Sequence, residues 1–488
     1  MVNRVVQGRQ RVDAVRLLGW LVLSALAPGA AHLRAGWRRT GLVLLSCYAV
    51  GLLGLLAVVL SAGDITSLLG SLVDDTWLSA ITFGSALLGV AWFALMVHSF
   101  VVLRPGGLRQ AEQIVTGTLA GLLSVAVLAP FAVATHTVWT LKQAANSIFH
   151  DAQPDPQAQG EKLTERRRDP WAGRARVNIL LLGGDADDNR PGVRTDSMNV
   201  ASIDVRTGNT ALISLPRNLE EVRFRPGTPM AERFPDGFRL PVDPGGGRSD
   251  LLNSVWEYAD AHPEIFGGKR KQGPEVLMDT IGYTLGLDMD WYALVNMWGF
   301  ARLIDAIGGV TLTVEQDVVF GKYNEGLVKA GTRRLKGADA MWYARSRTNS
   351  SDYIRMHRQR CVIGALLDQA DPATVLSRFT HVAAATKELI QTDIPRAMLS
   401  NLVPLALKVK DAKVTSIQLV PPLIQTYDPD WDKIRKLTQK AIRESTGAQP
   451  VTAKTPTGTP TGIPTKSPKA TKKADAPTQG LTDGCGRL

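Results

Sequence analysis

Cysteine is scarce in this chain, with only three residues among 488. Cys47 lies in a long apolar run, Cys361 in an apolar helical pattern, and Cys485 in a terminal stretch with almost no apolar residues. A disulfide needs two cysteines that the fold brings together, and the sequence places no pair of these three for it. We therefore expect the chain to fold without a disulfide.

Zinc-finger spacings and DNA-reading helix motifs are also missing, although the formal net charge is +11. The basic residues are spread over the flanks of apolar runs, the middle of the chain and its end. A nucleic-acid-binding domain concentrates its positive charge on one face or in one motif. The charge pattern therefore predicts no nucleic-acid partner.

Long apolar runs, in contrast, dominate the first 141 residues. Three of them, at about 40–62, 78–103 and 113–141, are long enough to cross a bilayer, which takes about 20 residues. A fourth run, at 17–31, is shorter and is interrupted by a Pro-Gly pair. It is either a further span or a segment that lies in the interface or re-enters the membrane.

The charges between these runs orient the membrane region by the positive-inside rule. Seven arginines precede the first long run and two lie between the second and the third, whereas the loop between the first two has three aspartates and no Lys or Arg. Three spans place both basic segments inside the cell and everything after residue 141 outside it. A fourth span would place the first arginines outside. We predict a multi-pass protein of the cell membrane, with 17–31 not spanning and an extracytoplasmic domain.

Composition divides the remainder of the chain into three parts. Residues 142–175 are polar and charged, as in a linker, and residues 446–488 are rich in Thr, Pro and Lys, as in a disordered tail. Between them, residues 176–445 alternate strand patterns with helical patterns, which predicts an α/β domain with a central sheet covered by helices. The predicted strands are 177–182, 197–205, 210–215, 292–296 and 310–314, and the predicted helices are 251–261, 275–285 and 299–307.

Arginines cluster near residue 350. Arg345 and Arg347 would share one face of a strand, and Arg355 and Arg358 would share one side of the helix expected to follow. Guanidinium groups bind phosphate oxygens in pairs and stay charged at any physiological pH. Beside a membrane region, the cluster indicates a phosphorylated lipid as ligand. The alternative is a solvated basic face with ordinary ion pairs.

Carboxylates follow the first predicted strand, with Asp185 at its end and Asp196 eleven residues later. Two such carboxylates can bind Mg²⁺, which completes its shell with water and substrate phosphates. Aspartate is also common in turns, and only the nearby Arg194 and Arg217 favour the metal interpretation. The apolar stripes of the predicted helices indicate ordinary core, and the alternative is a tunnel for a prenyl chain.

These residues belong to a series of motifs that resembles the LytR-CpsA-Psr family of membrane-anchored, extracytoplasmic cell-envelope enzymes. The resemblance covers about residues 176–372, and the motifs stand in the family's order, which makes the series specific although each motif alone is weak. They are Asn178-Ile179-Leu180-Leu181-Leu182-Gly183, Arg194-Thr195-Asp196, Ser214-Leu215-Pro216-Arg217, Gly308-Gly309-Val310, Leu335-Lys336-Gly337, Tyr343-Ala344-Arg345-Ser346-Arg347 and Asp352, Arg355, Arg358 and Gln359.

The resemblance implies a mixed central sheet sandwiched by helices and a phosphotransferase activity. Such enzymes move a glycopolymer from a polyprenyl-pyrophosphate carrier, a membrane lipid, onto a peptidoglycan hydroxyl through a phosphodiester. By position, Asp185 and Asp196 would bind Mg²⁺. Asp352, at a helix start, would be an N-cap or a base for the acceptor hydroxyl, and we favour the cap. The groups that would grip the pyrophosphate or lie beside it are Arg194, Arg217, Arg345, Arg347, Arg358, Arg355 and Gln359.

Two departures from the family pattern concern the residue after Arg217 and the first predicted metal ligand, Asp185. Asn218 stands where the family usually has Asp after Pro-Arg, and the loop after Asp185 contains Asp187 and Asp188 and delays its arginine to Arg190. The same motifs are compatible with a polyprenyl-pyrophosphate hydrolase that uses water as the acceptor. A third possibility is a membrane-anchored module that binds a prenyl phosphate without turnover. Asn218 is the only feature that favours the module, whereas Asp185, Asp196 and the arginines favour the transferring enzyme.

Overall fold

The chain forms two compact units, Met1–Gln143 and Ala144–Leu488, in the computed structural model. The first unit is helical, and the second is built around a sheet. The structure describes residues 16–61, 75–103, 110–149, 171, 173–185, 193–242, 247–348, 350–369, 390–446 and 478–486.

Helices make up the described part of the first unit. They are α1 (Arg16–Leu26), α2 (Ala30–Arg34), α3 (Arg38–Ser61), α4 (Asp75–Leu103) and α5 (Gln110–Ile148). Within α3, α4 and α5, three segments are long and apolar enough to cross a membrane, and α1 is shorter. Most of the exposed large apolar side chains lie on these helices, as expected for surfaces that face lipid rather than water.

The Pro-Gly pair between α1 and α2 interrupts the first apolar run, as the sequence indicates. Gly29 has a φ of 104°, in the left-handed region that favours glycine. A Cβ atom at Gly29 would lie 2.6 Å from the backbone oxygen of Gly41 in α3. The chain therefore turns back tightly at this point, and close packing of two backbones fixes the turn.

The second unit begins with β1 (Arg176–Asp185), β2 (Arg194–Asp204) and β3 (Thr210–Leu215). Next come α6 (Pro229–Arg233), α7 (Val255–Ala261), α8 (Gly273–Leu285), β4 (Trp291–Asn296) and α9 (Met297–Ala306). Four short strands follow, β5 (Val310–Val314), β6 (Val318–Phe320), β7 (Gly326–Val328) and β8 (Gly331–Leu335). The remaining elements are α10 (Gly337–Arg345), α11 (Asp352–Gln369), β9 (Ile390–Thr392), α12 (Leu399–Asp411), β10 (Val414–Gln418), α13 (Trp431–Ser445) and β11 (Gln479–Gly480).

Seven strands form the main sheet, in the order β11-β10-β3-β2-β1-β4-β9. β1, β2 and β3 are antiparallel neighbours, while β4 joins β1 and β10 joins β3 in parallel. Every residue of β3 is buried, as expected for a strand that is covered on both faces. The four short strands form two separate pairs, β5 with β8 and β6 with β7. The sheet is therefore mixed, as predicted.

Helices cover both faces of this sheet, because successive residues of each strand point to opposite sides. On one face, Leu180, Val200 and Ile213 pack against apolar side chains of α7, α8 and α13. On the other face, Ile179 and Leu212 pack against apolar side chains of α11 and α12. The prediction of a central sheet between helical layers is confirmed.

The prediction that the chain folds without a disulfide is wrong. Cys361 in α11 is bonded to Cys485. The two cysteines are 124 residues apart in sequence, so only the tertiary fold brings them together, and their spacing gave no sign of it. The predicted disordered tail is also wrong for residues 478–486, where β11 pairs with β10 and Leu481 is buried. Residues 447–477 and 487–488 of that tail lie outside the described residues.

The predicted linker at 142–175 begins later than expected, because α5 continues to Ile148. Residues 150–170 of the predicted linker lie outside the described residues. The polar residues that directly follow residue 141 therefore belong to α5 and not to the linker.

Candidate active site

Several predicted site residues meet at one edge of the main sheet. β1, β3 and β4 end at this edge, and the antiparallel β2 begins there. Asp185 pairs with Arg194 in the register of β1 and β2, and Met198 pairs with Leu215 in the register of β2 and β3. The sheet therefore brings the first residues of β2 beside the loop that follows β3.

An ion-pair network connects this sheet edge with the start of α11. Arg217 Nη1 donates to Asp196 Oδ1 at 2.5 Å, and Arg217 Nε donates to Asp352 Oδ1 at 3.1 Å. Arg355 donates from Nε and Nη2 to the two oxygens of Asp352, both at 3.1 Å. Burial lowers the pKa of Arg217, but the two neighbouring carboxylates raise it more, so it lies above its ordinary value. The network fixes the orientation of both guanidinium groups.

Asp352 does not cap α11, and the preference for the cap is wrong. The Oγ atom of Ser351 accepts a hydrogen bond from the backbone N–H of Ile354 at 3.2 Å, as an N-cap side chain does. Ser and Asp both suit this position, so a Ser-Asp pair at a helix start leaves open which residue caps. The carboxylate of Asp352 is bonded to Arg217 and Arg355 instead.

Arg345 and Arg347 do not lie on a strand, in contrast to the prediction. Arg345 is the last residue of α10, and its Cζ atom lies 5.4 Å from the centroid of the Trp342 ring. Arg347 lies in the loop after α10. Burial and the positive charge of Arg217 lower the pKa of Arg347, while Asp352 and Asp196 raise it in part. An anion bound beside Arg347 would relieve this excess of positive charge.

Arg358 stabilises the loop after α10 by a hydrogen bond to its backbone. Its side chain is buried, and Nη1 donates to the carbonyl oxygen of Ser346 at 3.2 Å. Its guanidinium lies 5.7 Å from the centroid of the Tyr343 ring. Arg358 does not line the cavity described below, and its predicted contact with pyrophosphate stays a prediction.

A cavity of about 770 Å³ lies at this edge of the sheet. Its charged and amide-bearing lining contains the predicted residues Arg194, Asp196, Arg217, Arg345, Arg347, Arg355 and Gln359. Its apolar lining, which we call the apolar wall, consists of Leu181, Leu182, Leu251, Ala293, Val295, Met297, Phe300, Leu303, Met341, Ala344, Val362, Ile363 and Leu366. One cavity therefore combines a group of guanidiniums with a large apolar surface.

The apolar stripes on the predicted helices divide between core and cavity. Leu277 and Ile281 are fully buried in the core of the second unit. Leu251, Phe300 and Leu303 line the cavity. The core interpretation is therefore confirmed for Leu277 and Ile281, and the prenyl tunnel stays a prediction for the residues that line the cavity.

Several polar residues of the cavity were not among the predicted site residues, and they include Asn199, Arg248 and Asn253. Arg248 donates to Asp250 at 2.8 Å and to Glu220 at 2.5 Å. The loop that contains it has no periodic pattern, so the only signal was an Arg-Ser-Asp triplet among prolines and glycines. Asn218, which stands where the family usually has Asp, also lines the cavity.

The donor chemistry of Asp196 suits a hard cation. Its side chain lines the cavity and is 32% exposed, and one of its oxygens is bonded by Arg217. The second oxygen accepts no hydrogen bond from the described residues, so it is open to a further ligand. The side chain of Asp185 and residues Asp187, Asp188 and Arg190 lie outside the described part of the chain. The predicted pairing of Asp185 with Asp196 around Mg²⁺ therefore stays a prediction.

Comparison with known proteins gives relatives that match about half of this chain. The polyisoprenyl-teichoic acid--peptidoglycan teichoic acid transferase TagU of Oceanobacillus iheyensis is 29% identical over 257 residues, which cover 52% of this chain and 68% of the relative. The probable cell wall biosynthesis protein LcpB of Corynebacterium glutamicum is 29% identical over 279 residues, 54% of each chain. The crystal structure of Bacillus subtilis TagV has a TM-score of 0.38 and 21% identity, and the match covers 56% of this chain and 98% of that chain.

The match to a family model extends further along the chain than the motifs do. The motifs cover about residues 176–372, whereas the model of the LytR_cpsA_psr family matches residues 137–440, which is more than half of the chain. The matched region contains the ion-pair network and every residue that lines the cavity. The chain belongs to the LytR-CpsA-Psr family.

Proposed function

We propose that this protein transfers a glycopolymer from a polyprenyl-pyrophosphate carrier to a hydroxyl group of peptidoglycan, forming a phosphodiester. The observation that carries the proposal is the cavity, in which arginines adjoin a large apolar wall. A lipid diphosphate needs both surfaces, because its head is a polyanion and its tail is apolar. Relatives named as polyisoprenyl-teichoic acid--peptidoglycan teichoic acid transferases support the same reaction.

The side chains of the cavity suit positioning and charge stabilisation, which is most of what phosphoryl transfer asks of a protein. Arg217, Arg345, Arg347 and Arg355 are placed to bind the diphosphate oxygens, whose charge increases toward the leaving phosphate. The acceptor hydroxyl oxygen attacks the phosphorus next to the polymer, and the bond to the bridging oxygen breaks. Polyprenyl phosphate leaves, and the hydroxyl proton is released.

Asp352 serves this arrangement as an orienting group. Both of its oxygens accept hydrogen bonds from guanidiniums, so they hold Arg217 and Arg355 in place. This contact pattern favours an orienting role for Asp352 over that of a base.

Magnesium dependence is part of the proposal. The carboxylate of Asp196 would hold the ion, with Asp185 as the predicted second ligand. When bound, Mg²⁺ would neutralise charge on the diphosphate. By the positive-inside rule, the reaction would take place on the outer side of the membrane. Three helices are long and apolar enough to cross a membrane, and as spans they would anchor a multi-pass chain close to a lipid substrate.

Asp196→Asn is expected to lower transfer by about 100-fold, because it weakens both the metal site and the ion pair with Arg217. Release of polyprenyl phosphate as a function of Mg²⁺ concentration measures this effect, and EDTA should abolish the wild-type activity. Asp279→Asn is the matched control, since Asp279 is also paired with an arginine, Arg225, but lies away from the cavity lining. Full activity in EDTA would rule out the metal.

The apolar wall predicts a preference for long prenyl tails. Each buried methylene contributes about 0.8 kcal/mol, so carriers with longer tails should bind more tightly until the wall is covered. Leu303→Glu should remove this dependence, because it places a charge on the wall. Leu327→Glu is the control, because Leu327 in β7 is exposed and does not line the cavity. Affinities from competition with a fluorescent prenyl diphosphate check the prediction, and equal affinities for short and long tails would contradict it.

A further inference from the structure

Helix α11 has two opposite faces with different contacts. Residues on one face line the cavity, at helical spacings of three and four residues; they are Arg355, Gln359, Val362, Ile363 and Leu366. Residues on the other face contact the C-terminal segment 478–486; they are His357, Arg360, Cys361 and Gly364. A shift of the outer face would therefore move the cavity side chains with it.

Arg360 makes the central polar contacts between α11 and the C-terminal segment. It is 4% exposed, and its Nη1 atom donates to Gln479 Oε1 at 2.6 Å. Its Nη2 atom donates to the carbonyl oxygen of Asp483, also at 2.6 Å. Such paired contacts use the fixed fork of a guanidinium, which holds two acceptors at once.

The segment also packs directly on the helix backbone. A Cβ atom at Gly364 would lie 2.8 Å from Thr482 Cγ2 and 3.3 Å from Leu481 Cγ, so this position has no room for a side chain. Leu481 is buried in the core between α11 and the sheet. The segment is therefore packed closely on α11 at Leu481 and Thr482.

Both ends of the segment are fastened. At its start, β11 pairs with β10 at the edge of the main sheet. At its end, Cys485 is bonded to Cys361, and the backbone N–H of Gly486 donates to Glu315 Oε1 at 2.8 Å. The segment thus links α11 to the sheet, on which the remainder of the cavity is built.

We propose that segment 478–486 positions α11 for the transfer reaction, with Arg360 as the principal positioning residue. The inference rests on the proposed function, since it concerns the same cavity. A displaced α11 carries Arg355 and Gln359 away from the diphosphate. The displacement also reaches Arg217, because Arg355 and Arg217 share the carboxylate of Asp352. In enzymes, a misplacement of about 1 Å can lower the catalytic rate by about 100-fold.

The test uses full-length protein in lipid vesicles and two variants that keep the disulfide. Arg360→Lys keeps the positive charge but loses the fork, and Gln479→Ala removes one of its acceptors. Each is expected to lower kcat by about 10-fold while KM for the carrier stays within about twofold, since most of the apolar wall comes from other elements. Gln479→Glu, which keeps an acceptor oxygen opposite Arg360, should retain wild-type kcat.

Folding and activity are separated by assaying below the unfolding temperature of every variant, measured by circular dichroism. Arg225→Lys is the matched control, because Arg225 also donates to a side chain but lies outside the cavity lining. If Arg360→Lys and Gln479→Ala leave kcat unchanged, with or without a lower unfolding temperature, the positioning role is refuted. If the wild type itself shows no transfer, the proposed function fails instead, and the two failures are thus distinct.

Discussion

Arg217→Ala is expected to lower polymer transfer by about 1000-fold, the upper end of the loss from removing one transition-state donor. Arg217 lines the cavity and bonds Asp196 and Asp352 at the same time. Its removal takes one positive charge from the diphosphate site. It also leaves the carboxylate of Asp196 without its guanidinium partner, and this negative charge would repel the substrate.

Arg217→Lys separates the loss of charge from the loss of geometry. Lysine is a point charge that cannot hold both carboxylates in a fork, so we expect a decrease of about 100-fold. Release of polyprenyl phosphate from a labelled carrier, with a peptidoglycan acceptor present, measures both variants. Arg239→Ala is the control, because Arg239 pairs with Glu221 away from the cavity lining. A decrease of less than tenfold in Arg217→Ala would contradict the assignment.

Loss of the Cys361–Cys485 disulfide is expected to lower the free energy of unfolding by about 4–5 kcal/mol. The bond closes a loop of 124 residues, and cross-links of long loops restrict the unfolded chain most. Reduction also removes one attachment of residues 478–486 to α11, which weakens the packing of the buried Leu481. A change of this size should lower the unfolding temperature by about 5–10 °C.

Thermal unfolding of the full chain in detergent, followed by circular dichroism with and without a thiol reductant, measures this effect. The double variant Cys361→Ser, Cys485→Ser should match the reduced wild type and should not respond to the reductant. Cys47→Ser is the control, because Cys47 is a free, exposed cysteine in the first unit. Equal unfolding temperatures for oxidised and reduced wild type would show that the bond contributes no stability.

The main elements of the sheet could be predicted because they carry strong local patterns. β1 and β3 are apolar runs bounded by turn residues, and their observed ranges contain the predicted strands. β6, β7 and β9 have three residues each, too few for an alternating pattern. α12 contains Pro404, which normally ends a helix, so only tertiary packing explains it.

The positions of those site residues that lie at strand ends could be predicted from the sequence. Strands that end at one edge bring their terminal side chains together, and Asp196 and Arg217 follow from that rule. The surroundings of Arg345 and Arg347 could not be predicted in this way, because three residues with alternating charge fit a strand as well as the end of a helix. The partner of Cys361 lies beyond a long polar stretch, and only the folded domain shows that the two cysteines meet.

The order of the strands has a consequence for how the domain is made. β3 lies inside the sheet, but its neighbour β10 is synthesised about 200 residues later. Until β10 emerges, the outer edge of β3 offers unpaired backbone groups and apolar side chains to any other nascent chain. The nascent chain is therefore most prone to aggregation before Val414–Gln418 is synthesised, and a chaperone would act in that interval.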